Sequence, residues 1–252
     1  MKILHLDIET APNKVYTWGL WNQNVGINQI VEPGYTMCWA AKWHGERKIY
    51  FNSMYNVTYE DMLGEVFTLL NEADAVVHYN GEKFDIPTLN REFVVYNIGV
   101  PIPFHQIDLL KVVRKRFKFP SNKLDYVAQA LGFDGKVQHK GMALWKECME
   151  GDPRAWKIME RYNKQDVVLL EQVYSHILPW IKVHPNHGLF MDTNSPVCTN
   201  CGSSSLVKKG IETTLTMQYQ RYSCKDCGTP LRGRTTVLSK EDRPNILTQS
   251  KL

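Results

Sequence analysis

A chain of 252 residues with 43% hydrophobic and 11% aromatic content can fill one well-packed domain and a smaller module, which excludes a disordered polymer. No apolar run approaches the roughly 20 residues of a membrane span, and the N-terminus enters a strand pattern with no basic-then-apolar leader, so a soluble, intracellular (cytoplasmic) protein is expected. The formal charge of +4 is unevenly spread: residues 1–189 balance 21 basic against 21 acidic side chains, whereas 190–252 hold 9 against 5, a shift that suits an appendage facing nucleic acid.

In chain order, residues 2–9, about 36–43 and 47–51 read as strands, with Gly45-Glu46-Arg47 as a tight turn between the latter two. Residues 59–73 have helical periodicity, 74–79 read as a buried strand, and 86–97 are helical again. From about 108 the pattern is mainly helical and ends in a long amphipathic segment at 153–178, where Pro153 suits a first helical turn. These elements predict a mixed α/β domain over residues 1–184. A Pro-, Gly-, Asn- and Ser-containing linker follows at 185–196, then a small module at 197–235 and a polar tail at 236–252 that is expected to be poorly ordered. There is no internal repeat.

Cysteine spacing defines the small module. Cys38 and Cys148 are isolated among apolar neighbours and read as core thiols. Cys198, Cys201, Cys224 and Cys227 form C-x2-C, 22 intervening residues, C-x2-C, a spacing that brings two thiolate pairs to one tetrahedral Zn2+. Two disulfides in a secreted domain are the alternative, and the lack of a leader counts against them. Gly202 and Gly228 follow the second cysteine of each pair, where a positive φ is needed. With Leu215, Tyr219 and Tyr222 between the pairs, the segment resembles a zinc ribbon. Four cysteines leave no open position at the metal, so this site is structural.

Acidic residues mark the larger domain. "LDIET" places Asp7 and Glu9 two apart on a strand, hence on one face. Asp85 lies just past a strand end in "HYNGEKFDIP", and Tyr162 and Asp166 are one turn apart in "YNKQD" of the long helix. Four carboxylates converge favourably only around strong positive charge, and Mg2+ or Mn2+ fits, because hard cations prefer oxygen ligands.

These three motifs resemble those of the DEDD superfamily of 3′→5′ exonucleases, and the Y-x3-D form of the third resembles the DEDDy subgroup. The resemblance covers residues 1 to about 180 and leaves the ribbon outside. It implies a ribonuclease-H-like mixed sheet flanked by helices, and a phosphodiester hydrolase acting on DNA or RNA. It further implies two divalent ions roughly 3.5–4 Å apart held by Asp7, Glu9 and Asp166, with Asp85 contributing to the second directly or through water, and Tyr162 orienting the attacking water. Single-stranded 3′ ends are the expected substrate. A non-catalytic nucleic-acid-binding or adaptor protein, and an endonuclease or structure-specific ribonuclease using the same metals, are the competing readings.

Further nucleic-acid contacts are expected from Asn80 and Lys83 beside Asp85, and from a helical stripe of Lys111, Arg114, Lys115 and Lys118 opposite Leu110, Val113 and Phe117. Asp108 reads as the N-cap of that helix, and the sequence does not decide whether His139 and Lys140, which precede another helix, approach the site. On the ribbon, Lys208, Lys209, Arg221, Arg232 and Arg234 with Tyr219 and Tyr222 are expected to form a platform for nucleic acid, with docking to a protein as the other use of this module.

Overall fold

The computed structural model describes residues 1–135 and 137–250. The chain divides into two compact units, Lys2–Ser175 and the segment from His176 onward.

In the first unit the strands are β1 (Ile3–Thr10), a short outlying pair β2 (Lys14–Val15) and β3 (Ile30–Glu32), β4 (Thr36–Trp43), β5 (Ile49–Ser53), β6 (Ala75–His78) and β7 (His105–Asp108). The helices are α1 (Tyr59–Glu72), α2 (Asp85–Val95), α3 (Leu109–Arg116), α4 (Leu124–Ala130), α5 (Met142–Met149) and α6 (Pro153–Ile177), the last of which runs two residues past the unit's end. Five strands make the main sheet in the order β5-β4-β1-β6-β7. The first three are antiparallel, while β6 and β7 continue from β1 in parallel.

Strand β1 is central because it is apolar on one face and polar on the other. Leu4, Leu6 and Ile8 enter a core with Trp39, Met62, Leu63, Val66 and Phe93, whereas the alternate positions His5, Asp7 and Glu9 look the other way. Helix α1 buries Met62, Leu63, Val66, Leu69 and Leu70 at helical spacing and starts where the Thr58 hydroxyl accepts the Asp61 N–H. The Trp39 indole N–H donates to the Met62 carbonyl at 2.8 Å, tying sheet to helix. Helix α6 begins at Pro153, with the Asp152 carboxylate accepting the Arg154 and Ala155 N–H groups.

Four elements differ from the expectation. Strand β7 falls in the stretch between 97 and about 108 for which the sequence pattern predicts no element, because His105 and Gln106 are exposed and a four-residue edge strand shows no alternation. Strands β2 and β3 are too short to carry a period. Helix α3 ends at Arg116, so Phe117 and Lys118 lie beyond it and Lys118 does not extend the Lys111–Arg114–Lys115 stripe. Phe119 precedes Pro120, which disfavours continued helix there.

In the second unit a three-stranded antiparallel sheet, β8 (Leu206–Thr213), β9 (Gln218–Cys224) and β10 (Pro230–Thr236), has β9 in the centre. The Asn200 amide donates to the Leu178 and Ile181 carbonyls at 2.9 and 3.1 Å and thereby closes the turn that follows α6.

Candidate active site

Strand β1 is paired with β6 only as far as His5, and the chain beyond β6 turns back toward it. The Ile8 N–H, left without a strand partner on that side, donates to the Asp85 carboxylate at 3.2 Å. This bond sets the start of α2 beside the Asp7–Glu9 segment. Helix α6 closes the other side. One carboxylate oxygen each from Asp7, Glu9 and Asp166 lie within 4.8 Å of one another. Three like charges held so close repel unless a cation lies among them, and an all-oxygen donor set suits a hard divalent ion. Asp85 is adjacent to this trio through Ile8 and is not a member of it.

Burial pushes the Asp85 carboxyl up from the ordinary 3.8 to about 7, against the lowering effect of the Ile8 and Asp85 N–H groups, and the Asp108 charge adds to the rise. Asp108 is the N-cap of α3 that the sequence suggests, accepting the Leu110 N–H at 3.0 Å. The same oxygen accepts the Asn80 N–H at 2.9 Å. Asn80 adopts a φ of 73°, and a Cβ on Gly81 would lie 2.4 Å from the His78 ring, so the Asn-Gly pair is demanded by the backbone here. Lys83 is exposed on this turn.

Asn163 is the residue that sequence reasoning missed. It is fully buried on α6, one position after Tyr162, and its amide N–H donates to an Asp7 carboxylate oxygen at 2.6 Å. A carboxylate can only accept, so the amide oxygen faces away, where it accepts the Cys38 thiol at 3.8 Å. The side chain therefore fixes the carboxylate of Asp7 from behind. A polar residue between the two expected positions of the third motif was the available signal.

Tyr162 lies one turn before Asp166 with its ring edge-on to His139 at 4.8 Å and near Trp145 at 6.1 Å. His139 therefore packs on Tyr162, held by the Gly141 N–H donating to its Nδ1, while Lys140 turns to Glu147 at 3.3 Å. On α3, Lys111 pairs with Glu82, and Arg114 and Lys115 are exposed. The excursion between the Glu9 end of β1 and the start of β4 exposes Tyr16, Trp18, Leu20 and Trp21, with Trp18 wholly in solvent.

In the second unit the four cysteines gather within 4.8 Å, with Cys198 and Cys227 sulfurs 3.5 Å apart and Cys201 and Cys224 3.6 Å apart. Disulfides require about 2.05 Å, whereas Zn–S bonds of about 2.3 Å give a tetrahedral edge near 3.8 Å. Each knuckle closes alike, Gly202 N–H to Cys198 and Gly228 N–H to Cys224, with φ of 76° and 80° at the glycines. The cluster fits a zinc-ribbon module. Arg221 and Tyr222 are neighbours on β9 and so point to opposite faces, as do Tyr219 and Tyr222. The Arg232 guanidinium lies 4.5 Å over the Tyr219 ring and pairs with Glu212 at 3.0 Å.

An antiparallel β5-β4-β1 meander extended by parallel β6 and β7, with carboxylates on the central strand and a crossing helix, is a ribonuclease-H-like nuclease fold. The RNase_H superfamily model matches residues 4–178, and the chain belongs to that family. Among solved structures, the family B DNA polymerase of the hyperthermophilic archaeon Pyrobaculum calidifontis is similar at a TM-score of 0.54 and 17% identity, over 71% of this chain and 24% of that one. The chain thus spans about a quarter of the polymerase, and the likeness is one of fold. Curated protein sequences include no significant match. Among the described residues no helix is long and apolar enough to cross a membrane.

Proposed function

We propose that this protein is a metal-dependent 3′→5′ exonuclease of the DEDDy type, hydrolysing terminal phosphodiester bonds of DNA or RNA. The observation that carries the reading is the convergence of Asp7, Glu9 and Asp166 within 4.8 Å, with Tyr162 one helical turn from Asp166. Asp7, Glu9 and Asp166 would hold two Mg2+ or Mn2+ ions, with Asp85 serving the second. Such ions, when bound, supply Lewis acidity toward the phosphodiester and a water of lowered pKa. The chain's own groups do the positioning. Asn163 locks the Asp7 carboxylate, Asp85 is anchored to Ile8, and the Tyr162 hydroxyl orients the attacking water toward the scissile phosphorus.

Substrate grip is assigned to two surfaces. Trp18, Trp21 and Tyr16, exposed on the excursion that leaves the Glu9 end of β1, would stack unpaired bases of a single-stranded 3′ end, and Asn80, Lys83, Arg114 and Lys115 would meet phosphates. The ribbon, organised by one structural Zn2+ on Cys198, Cys201, Cys224 and Cys227, would hold trailing nucleic acid by one face of β9 or dock a protein partner.

Oligonucleotides labelled at the 5′ end and incubated with Mg2+ should give a ladder shortening one nucleotide at a time from the 3′ end. Internal fragments at the earliest times would make the protein an endonuclease, and binding without cleavage in either Mg2+ or Mn2+ would make it an adaptor.

A further inference from the structure

A second cluster of ligand-type side chains lies beside the carboxylates, made by residues with no place in the reaction. His5 on β1, His44 just past β4 and Glu171 on α6 each bring one ligand atom within 4.8 Å of the others. The His5 Nε2 and His44 Nδ1 atoms are 3.2 Å apart, and His44 Nδ1 is 3.4 Å from a Glu171 carboxylate oxygen. From the geometry we infer that His5, His44 and Glu171 form a divalent-metal site, of the imidazole-preferring Zn2+ kind, separate from both the carboxylate centre and the cysteine cluster.

Two arguments carry this. The first is hydrogen counting. His44 Nδ1 faces two partners, a ring nitrogen and a carboxylate oxygen, yet it holds at most one hydrogen. If it carries that hydrogen, His5 and Glu171 compete for it. If His5 Nε2 donates instead, the lone pair of His44 is spent on His5 and the Glu171 oxygen receives nothing from the pair. No arrangement of protons satisfies both contacts squarely, whereas one cation among the three atoms accepts a lone pair from each. His5 is completely buried, so its Nε2 meets only His44 and the atoms around it, not bulk water.

The second is size. Zn–N and Zn–O bonds of about 2.05 Å put tetrahedral ligand atoms about 3.3 Å apart. Two of the three separations, 3.2 and 3.4 Å, bracket that edge, and the third, between His5 and Glu171, is wider but within 4.8 Å.

The surroundings suit a bound cation. Glu171 is held as a carboxylate by donors that a bound ion would leave in place, Lys42 and the Gly45 N–H. Lys42 engages the other carboxylate oxygen, and the Gly45 N–H donates at 2.8 Å to the oxygen facing His44, so the ligand is fixed by neighbouring donors. The Tyr174 ring lies edge-on to both imidazoles at 5.2 and 5.1 Å and sets their planes. The His44 side chain is 37% exposed, which gives an ion an entrance and leaves room for water as a fourth ligand. An ion here would cross-link β1, the end of β4 and α6 two residues along β1 from Asp7.

The test counts zinc on the full chain. After saturation with Zn2+ in millimolar Mg2+, which occupies the carboxylate centre, and removal of unbound metal, elemental analysis should find one more zinc in the wild type than in His44→Ala. Titration should show that the lost site has weakened by about 100-fold or more. His44 is at the surface, so the substitution leaves the core intact. Its fold is checked by circular dichroism. With the cysteine cluster already filled by Zn2+, added Co2+ should give the wild type a visible band of nitrogen–oxygen coordination without thiolate charge transfer, absent from His44→Ala and from Glu171→Gln. Equal zinc content in wild type and His44→Ala, or no such band in the wild type, would overturn the inference. Because neither readout measures cleavage, its failure leaves the exonuclease reading untouched, and failure of that reading leaves this one intact.

Discussion

Replacing Asp85 by Asn gives a prediction whose size follows from the buried carboxyl. A folded-state pKa near 7 against 3.8 in the unfolded chain means that the folded protein holds this proton more tightly. The group is therefore neutral and harmless below about pH 4, and its ionisation costs folding free energy progressively as pH rises from about 4 to 7. At 1.36 kcal/mol per pKa unit the cost reaches about 4 kcal/mol at pH 7 and above, when no cation is bound. Asparagine keeps an acceptor for the Ile8 N–H and carries no charge. In magnesium-free buffer, with the cysteine cluster's metal retained, Asp85→Asn should match wild-type stability at pH 4 and exceed it by up to about 4 kcal/mol at pH 8. Urea unfolding followed by tryptophan fluorescence at the two pH values measures this. Saturating Mg2+ should shrink the gain at pH 8 by stabilising the wild type. An equal difference at pH 4 and pH 8 would refute the assignment of the burial penalty to this carboxylate.

Three other outcomes are expected. Tyr162→Phe should lower kcat about 10- to 100-fold while Mn2+ affinity and KM change little, because a water-orienting hydroxyl holds neither ion nor substrate; isothermal titration and steady-state kinetics separate the two. Asn163→Leu should weaken Mn2+ binding about 10- to 100-fold through loss of the bond that fixes Asp7, with the stability change reported separately by urea unfolding. Trp18→Ala combined with Trp21→Ala should leave the fold unchanged, since both rings are exposed, and should weaken binding of single-stranded oligonucleotides by about 1–3 kcal/mol per stacked base, read by fluorescence anisotropy.

What the sequence disclosed and what it withheld divide along the distance in chain between the partners. The alternation of β1, the spacing of α1 and the cysteine knuckles are local patterns, and each is repeated in the fold as read. Strand β7 was hidden because its only buried apolar residue is Ile107 and its pairing with β6 spans some thirty positions. The reach of α3 was overestimated because the amphipathic pattern continues into Phe117 and Lys118 after the helix has ended. At the site, acids on a strand carry a period and so could be read. Asn163 was missed because its bond to Asp7 crosses 156 residues and its one local signal was a polar residue inside the third motif. His5, His44 and Glu171 share no motif, and only the closing of α6 over β1 and β4 brings them together.

The central claim is that the carboxylate cluster on β1 and α6 is a metal-dependent nuclease centre. Its most direct test compares the cleavage rate of wild type and Asp7→Ala on one end-labelled oligonucleotide across a Mg2+ titration, with equal zinc content in both preparations. Cleavage should rise with Mg2+ in the wild type and be abolished in Asp7→Ala, while the variant keeps its fold. Retention by Asp7→Ala of more than a few per cent of the wild-type rate at saturating Mg2+ would contradict it.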